Sequence, residues 1–351
     1  MLSNNISVIG LGYVGLPLAI ILSKKYNIFG FDIDEKRLIP NLEDDIFKEK
    51  KFLKIFNKNI NKFLFLKKTF TPSKINFICA SSNLKSKSIT YNTRLHMKII
   101  KNIIYKRINE DITYIILMST TQVGFSNEVT KYLKHKNLSD KFKFLYTPER
   151  IFPSNLFNEL INNNRIIGHN DKNSYKVVRK IFKSFVTGKI NSVDHTSAEL
   201  IKIAENTYRS VNIAFSNELL RICMSENIDV SNVINMSNEH PRVNILKPGV
   251  GVGGHCIPVD PLFLTNKYKD LKLVESSIYT NQNQPNYFSL KLKKYLKKNK
   301  IKNIIFFGCS YKENVNDTRN SPSINLIEDV IKEKSIQTYV CDYLINKNLQ
   351  K

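Results

Sequence analysis

The sequence predicts an α/β fold. A doubly wound parallel sheet forms the N-terminal part, a helical part with a long bridging helix follows, and a partial second α/β layer ends the chain. Three observations predict it. An apolar strand at residues 6–10 runs directly into a glycine turn and an apolar helical run at 16–22. Short apolar runs then alternate with helical patterns, the rhythm of βαβ units. At 304–341 the order strand, glycine, helix, strand returns.

Composition narrows the classes. The chain has 351 residues and 42% hydrophobic residues, enough for two or three domains with real cores. No apolar run approaches the ~18 residues of a membrane span, and the first ten residues lack the pattern of a signal peptide. The five cysteines are widely spaced with no CxxC pair, against a disulfide framework or a cysteine-based metal site. A reducing cytoplasm is the expected location. The net charge of +24 invites a nucleic-acid reading. The lysines, however, spread over the whole chain, and no helix-turn-helix, RNA-recognition or zinc-finger pattern accompanies them. No specific nucleic-acid partner is expected.

The elements follow in order. After strand 6–10 comes Gly10-Leu-Gly12-Tyr13-Val14-Gly15. Gly10 permits the tight turn, Gly12 lets a pyrophosphate approach, and Gly15 lets the helix pack on the strand. The helix N-terminus then faces the phosphates. A second strand at 28–31 ends at Asp32, twenty residues after Gly12, where an acid can hold ribose hydroxyls. That favours NAD over NADP, with Lys36 and Arg37 close by. Residues 39–74 are lysine-rich and helical in parts. Strand 75–80 ends in Ser81-Ser82. A helix covers 93–106. Strand 112–118 ends in Ser119-Thr120-Thr121, and strand 142–146 in Thr147-Pro-Glu149-Arg150. Three strand ends bearing hydroxyls or a carboxylate outline one edge of a sheet, where ligands bind in open α/β folds. Segments 163–168 and 185–193 close this Rossmann-like domain, residues 1–193.

A long helix starts near Asp194, with Asp194, Thr196 or Ser197 as cap, and reaches about Ser225. Leu200, Ile203, Ala204, Val211 and Phe215 are spaced for packing. Lys202, Asn206 and Arg209 share one face. Length without a breaker suits a bridge between domains or a dimer interface. A short helix at 228–237 leads through His240-Pro-Arg242 into Lys247-Pro-Gly-Val-Gly-Val-Gly-Gly-His-Cys-Ile-Pro-Val-Asp-Pro261. Here a thiol, Cys256, stands among glycines with a carboxylate, Asp260, four residues on. Helices at 261–269 and 273–283 and a basic helix at 290–302 complete the central part, residues 194–292, and lead into the last, 293–351. In that last part strand 304–308 precedes Lys312 and Arg319, cations suited to phosphate. Ser321-Pro322 opens a helix to about Lys334, and strand 336–341 ends at Asp342. Two strands and one helix make an incomplete layer, so this domain is expected to be truncated.

Gly10–Ala19, Thr147-Pro-Glu-Arg150, Ala198-Glu…Lys202…Asn206, Gly253-Gly-His-Cys-Ile-Pro-Val-Asp260 and Tyr311-Lys…Asp317-Thr-Arg319-Asn-Ser-Pro322 resemble, in order, the UDP-glucose/GDP-mannose dehydrogenase family. The resemblance covers nearly the whole chain. The residues around Cys256, with Pro241-Arg242-Val and Asn206-Thr-Tyr-Arg209, are similar to its UDP-N-acetylhexosamine branch, in particular its UDP-GlcNAc and UDP-GalNAc 6-dehydrogenases of surface-polysaccharide synthesis.

The resemblance implies a homodimeric enzyme that oxidises C6 of a UDP-N-acetylhexosamine from alcohol to carboxylate with two NAD⁺. Cys256 would carry a thiohemiacetal and then a thioester. Lys202 and Asn206 would stabilise and position the C6 oxygen. Asp260 with Thr120 would order water, and Glu149 would be the base for thioester hydrolysis. Gly10, Gly12, Tyr13, Val14, Gly15, Asp32, Arg37, Ser82, Thr120 and Arg319 would hold NAD. Glu149, Arg150, Lys202, Asn206, Arg209, Arg242, Gly253 and Lys312 would hold the sugar nucleotide, Arg242 across a dimer. No metal is implied. The chain departs from the family where Ala80-Ser-Ser-Asn83 replaces a Pro-Thr-Pro turn and Gly168-His169 replaces Gly-Gly. Two alternatives stand beside this reading: an NAD-binding relative without turnover, and a UDP-glucose 6-dehydrogenase.

Overall fold

The computed structural model describes residues 4–39, 49–81, 93–151, 155–313 and 317–345. It divides into two compact units, Met1–Lys202 and Ile203–Lys351.

The first unit is built on an eight-stranded sheet. Its strands are β1 (Asn5–Ile9), β2 (Asn27–Phe31), β3 (Leu64–Lys67), β4 (Ile75–Ile78), β5 (Thr113–Leu117), β6 (Phe142–Tyr146), β7 (Arg165–Gly168) and β8 (Ile190–Val193). They lie in the order β3-β2-β1-β4-β5-β6-β7-β8. Every pairing is parallel except that of β6 with β7. Strand order reverses between β1 and β4, which pair Ile6 with Ile75, and ligands bind at such a switch point in open α/β sheets. Alternate residues serve opposite layers. Val8, Ile116, Leu145 and Ile167 join one buried cluster, while Ile9, Ile115, Leu117 and Phe144 join another. Burial on both faces explains why these strands read as continuous apolar runs. The helix Gly15–Leu22 is buried along its whole length.

β3 is missing from the sequence-based expectation, and its cause is local. Leu64-Phe-Leu-Lys67 is short and lies in a lysine-rich stretch, so a sheet-edge strand there has no period of its own to announce it.

The second unit takes most of the long helix His195–Glu226, which Asp194 precedes as cap, accepting from the Ser197 amide at 2.9 Å. The helices Val230–Asn238, Asp260–Thr265 and Lys272–Lys298 follow. The expected pair 273–283 and 290–302 is one helix, continuous through Pro285. Proline forfeits one backbone bond in a helix interior; here Pro285 is buried, its ring 3.3 Å from where a Gly251 Cβ would lie. The expected helix 261–269 is shorter and starts on Asp260.

The chain closes with β9 (Asn303–Phe307), the helix Pro322–Ile331 and β10 (Gln337–Cys341), the two strands pairing in parallel. Ser321 sits at the helix cap as expected, but its hydroxyl makes no cap bond; it is buried with no partner among the described residues. This layer repeats the first turn of the chain in detail. Gly308 has φ +84° where Gly10 has φ +91°. The Cys309 amide donates to Asp342 at 2.8 Å, as the Leu11 amide donates to Asp32 at 2.7 Å.

No helix among the described residues is long and apolar enough to cross a membrane.

Candidate functional site

In the first unit the glycine turn leaves β1 at Gly10. A side chain at Gly15 would begin 1.7 Å from the Gly10 carbonyl oxygen, so the helix can sit this close to the turn only without one. The Gly10 position is equally closed, with Ala80 backbone 2.6 Å from an added Cβ. Val14 is at the helix N-cap and no side chain caps that end. Asp32 is buried beyond β2, its carboxylate accepting from the amides of Leu11 at 2.7 Å and Asp34 at 2.9 Å. The Arg37 guanidinium stands 3.6 Å from Asp32, and 2.9 Å from where a Gly12 Cβ would be. A glycine-rich turn, an uncapped helix end, an anchored acid and a nearby cation fit a dinucleotide: amides and Arg37 for phosphates, Asp32 for ribose hydroxyls. Tyr13 is exposed beside them. Ser82 lies outside the described residues.

The carboxyl ends of β5 and β6 carry the next group. Thr120 is half-buried. Glu149 is buried, and its Oε1 accepts from Arg165 Nη1 in a close ion pair and from the Arg150 amide at 2.8 Å. Its Oε2 has no partner among the described residues. Arg150 turns its guanidinium to the Asn164 carbonyl. Burial, then the charge of Glu149, pushes the Cys79 thiol up, which keeps it protonated and inert.

The long helix supplies Lys202, Asn206 and Arg209. Lys202 and Asn206, one turn apart, are buried, and Arg209 is half-buried. Lys202 has no carboxylate partner among the described residues.

Within the second unit the structure joins Asn206, Asp260 and Cys256. Asn206 Nδ2 donates to Asp260 Oδ2 at 2.6 Å, both side chains buried. The Asp260 amide donates to the Cys256 carbonyl at 2.7 Å, which sets the exposed thiol one turn before the carboxylate. The glycine loop is pressed on the segment after β9. A Gly253 Cβ would lie 2.5 Å from Tyr311 Cβ, and Gly254, at φ +83°, has its carbonyl held by Asn320 Nδ2 at 3.0 Å. His255 Nε2 lies 3.7 Å from Asp317. Asp317 in turn takes a two-pronged grip from Arg319, at 2.8 and 2.7 Å. Burial alone would push the Asp317 carboxyl up; the bonds and charge of Arg319 outweigh it and hold it below the usual range. Burial, then Arg319, pushes the His255 imidazole down, so it is neutral near pH 7. Lys312 is half-buried beside Tyr311 in sequence. Arg242 is exposed, and its backbone amide bonds His240 at 3.3 Å.

Sequence reasoning missed Arg165 and the Asp317–His255 approach. The signal for the first is present: a guanidinium inside the apolar strand Arg165-Ile-Ile-Gly168 must find a partner to be buried. Glu199, near the start of the long helix, has a role that the sequence did not announce. It caps another helix, Phe125–His135, accepting from the amides of Gly124 at 2.6 Å and Ser126 at 2.7 Å.

Comparison with known proteins gives a consistent result. Residues 4–186 match the UDP-glucose/GDP-mannose dehydrogenase family, NAD binding domain, and residues 196–285 match its central domain. A UDP-N-acetyl-D-mannosamine dehydrogenase of Methanocaldococcus jannaschii is 37% identical over 99% of this chain and 82% of its own. An NDP-N-acetyl-D-galactosaminuronic acid dehydrogenase of Ralstonia solanacearum is 31% identical over 94% of this chain and 80% of its own. The solved UDP-D-ManNAc dehydrogenase of Pyrococcus horikoshii superposes with a TM-score of 0.86 at 29% identity, covering 99% of this chain and 85% of that one.

Proposed function

The chain belongs to the UDP-glucose/GDP-mannose dehydrogenase family, and from that premise we propose that it is a nucleotide-sugar dehydrogenase oxidising C6 of a UDP-N-acetylhexosamine to the uronate. The observation that carries this is the link Asn206–Asp260–Cys256, which gives an exposed thiol a buried acid and amide one helical turn away. The names of the most similar relatives put the manno epimer first among the substrates to try. The product, an acidic sugar nucleotide, suits surface-polysaccharide synthesis.

The cofactor is NAD, since residues 4–186 are the family's NAD binding domain. When bound, NAD⁺ takes two electrons, so the four-electron change from alcohol to carboxylate consumes two equivalents. Gly10, Gly12 and Gly15 leave room for its phosphates, Asp32 would take its ribose hydroxyls, and Tyr13, Val14, Arg37, Ser82 and Arg319 would complete the set that holds it. At the sugar, Lys202 and Asn206 meet the negative charge that develops on the C6 oxygen. The Cys256 thiolate adds to the C6 aldehyde and holds it as a thiohemiacetal, which becomes a thioester on oxidation. Water then attacks the thioester, ordered by Asp260 and Thr120, and gives its proton to Glu149. Arg150, Arg209, Gly253, Lys312 and, from a second copy, Arg242 bind the sugar nucleotide. On this reading residues 1–193 bind NAD, 194–292 carry the thiol loop and the dimer contact, and 293–351 take the UDP group.

The test is NADH formation by the purified chain with UDP-N-acetylmannosamine, -glucosamine, -galactosamine and UDP-glucose. Two NADH per sugar with one of the acetylated substrates is expected. No NADH with any of the four, or preference for UDP-glucose, overturns the reading. Unaltered turnover in Cys256→Ser overturns the covalent route.

A further inference from the structure

The geometry points to Arg165 as the positioning residue that divides Glu149 into an anchored oxygen and a working one, so that the second half of the reaction depends on a residue of β7 while the base follows β6. This rests on the role given to Glu149 above.

Arg165 opens β7, the strand that runs antiparallel to β6, and its side chain is almost wholly buried. Nη1 pairs with Glu149 Oε1, and Nη2 donates to the Leu160 carbonyl at 2.6 Å. Leu160 is itself fully buried in the helix Leu156–Asn162, so the guanidinium is fixed at both prongs. Glu149 Oε1 also accepts from the Arg150 amide. Two donors therefore hold Oε1, and none among the described residues holds the buried Oε2. A carboxylate fixed at one oxygen keeps the other aimed in a single direction.

A buried ion pair is a poor device for stability, because desolvation consumes most of its attraction. This one also leaves Arg165 Nε and Glu149 Oε2 without partners among the described residues, which a purely structural tie would not favour. Its place fits chemistry. The charge of Glu149 is felt at Cys79, whose Cβ lies 3.1 Å from where a Gly15 side chain would begin, on the cofactor-turn side of the sheet.

In thioester hydrolysis the water oxygen bonds to the carbonyl carbon, one water proton passes to Glu149 Oε2, and the C–S bond breaks. The electron pair leaves on the Cys256 sulfur, and no oxidant is consumed. If Arg165 fails to hold Oε1, Oε2 swings away and this step slows while the earlier oxidations proceed.

The experiment compares Arg165→Gln, Arg165→Lys and Glu149→Gln by rapid NADH formation, steady turnover and intact mass. Arg165→Gln should release NADH in a first-turnover burst and then turn over about 10–100-fold more slowly. The acyl adduct should accumulate on Cys256, with KM for the sugar nucleotide within about twofold of the parent's. Arg165→Lys should recover part of the rate. Lost turnover without adduct, or raised KM with kcat intact, overturns the proposal. If Glu149→Gln accumulates no adduct, the base role itself falls. If Glu149→Gln accumulates it and Arg165→Gln does not, only the Arg165 assignment falls. Should Arg165→Gln not fold, Arg165→Lys decides: a point charge in place of the fork is expected to accumulate some adduct, and none overturns the proposal.

Discussion

Asp260 is a carboxylate taken almost completely out of water, and it accepts a hydrogen bond from the Asn206 side-chain amide. Removing that donor costs the desolvated acid one of its hydrogen bonds. Asn206→Leu should therefore cost about 1–3 kcal/mol of stability, read from urea unfolding, and reduce turnover as well. Asp260→Asn in the same background should restore part of the stability but not activity, because an amide short of a donor costs less to bury than a carboxylate does. A stability loss that the double variant does not relieve would show that Asn206 matters through packing alone. These two residues and Cys256 were legible in the sequence because each sits in a motif with its own spacing. Arg165 was not: its partner is sixteen residues away, and the contact exists only once β6 and β7 pair.

The glycine turn shows how an element enforces its own residues. At Gly15 the nearest obstacle is a backbone carbonyl, which cannot rotate aside as a side chain could. Gly15→Ala should push the helix Gly15–Leu22 off β1, destabilise the first unit by about 1–3 kcal/mol, and abolish the rise in melting temperature that NAD gives the parent. A retained NAD-dependent rise would show that the turn tolerates the methyl. Strand, turn and helix were readable here because glycine spacing, an apolar strand and an acid twenty residues on all demand the same geometry. The single helix Lys272–Lys298 was not, because a proline reads locally as a break, and only the burial of its ring overrides that.

Over the whole molecule, the long helix divides its apolar residues between burial and exposure. Leu200 and Phe215, read as spaced for packing, are both exposed on this chain, whereas Ile203 is buried. In the second unit Tyr208, Phe215 and Ile222, at 62, 54 and 58% exposure, recur every seven residues. A stripe with this period suits a seam for another helix, which supports the proposed homodimer. Phe215→Lys should convert the proposed dimer to a monomer in light scattering without unfolding the chain, and an unchanged mass would place the contact elsewhere. The period alone could announce such a stripe, but not whether its partner is the same chain or another. The distribution of sulfur has a different consequence. Cys79, Cys223 and Cys309 are buried or nearly so, and burial with Asp342 pushes the Cys309 thiol up to about 11, whereas Cys256 and Cys341 are exposed. With Cys341→Ser, an alkylating dye added to the native protein has a single address, the proposed nucleophile. On the proposed mechanism the chain carries its own reporter, in which dye uptake would count vacant reaction centres and its loss would time their acylation.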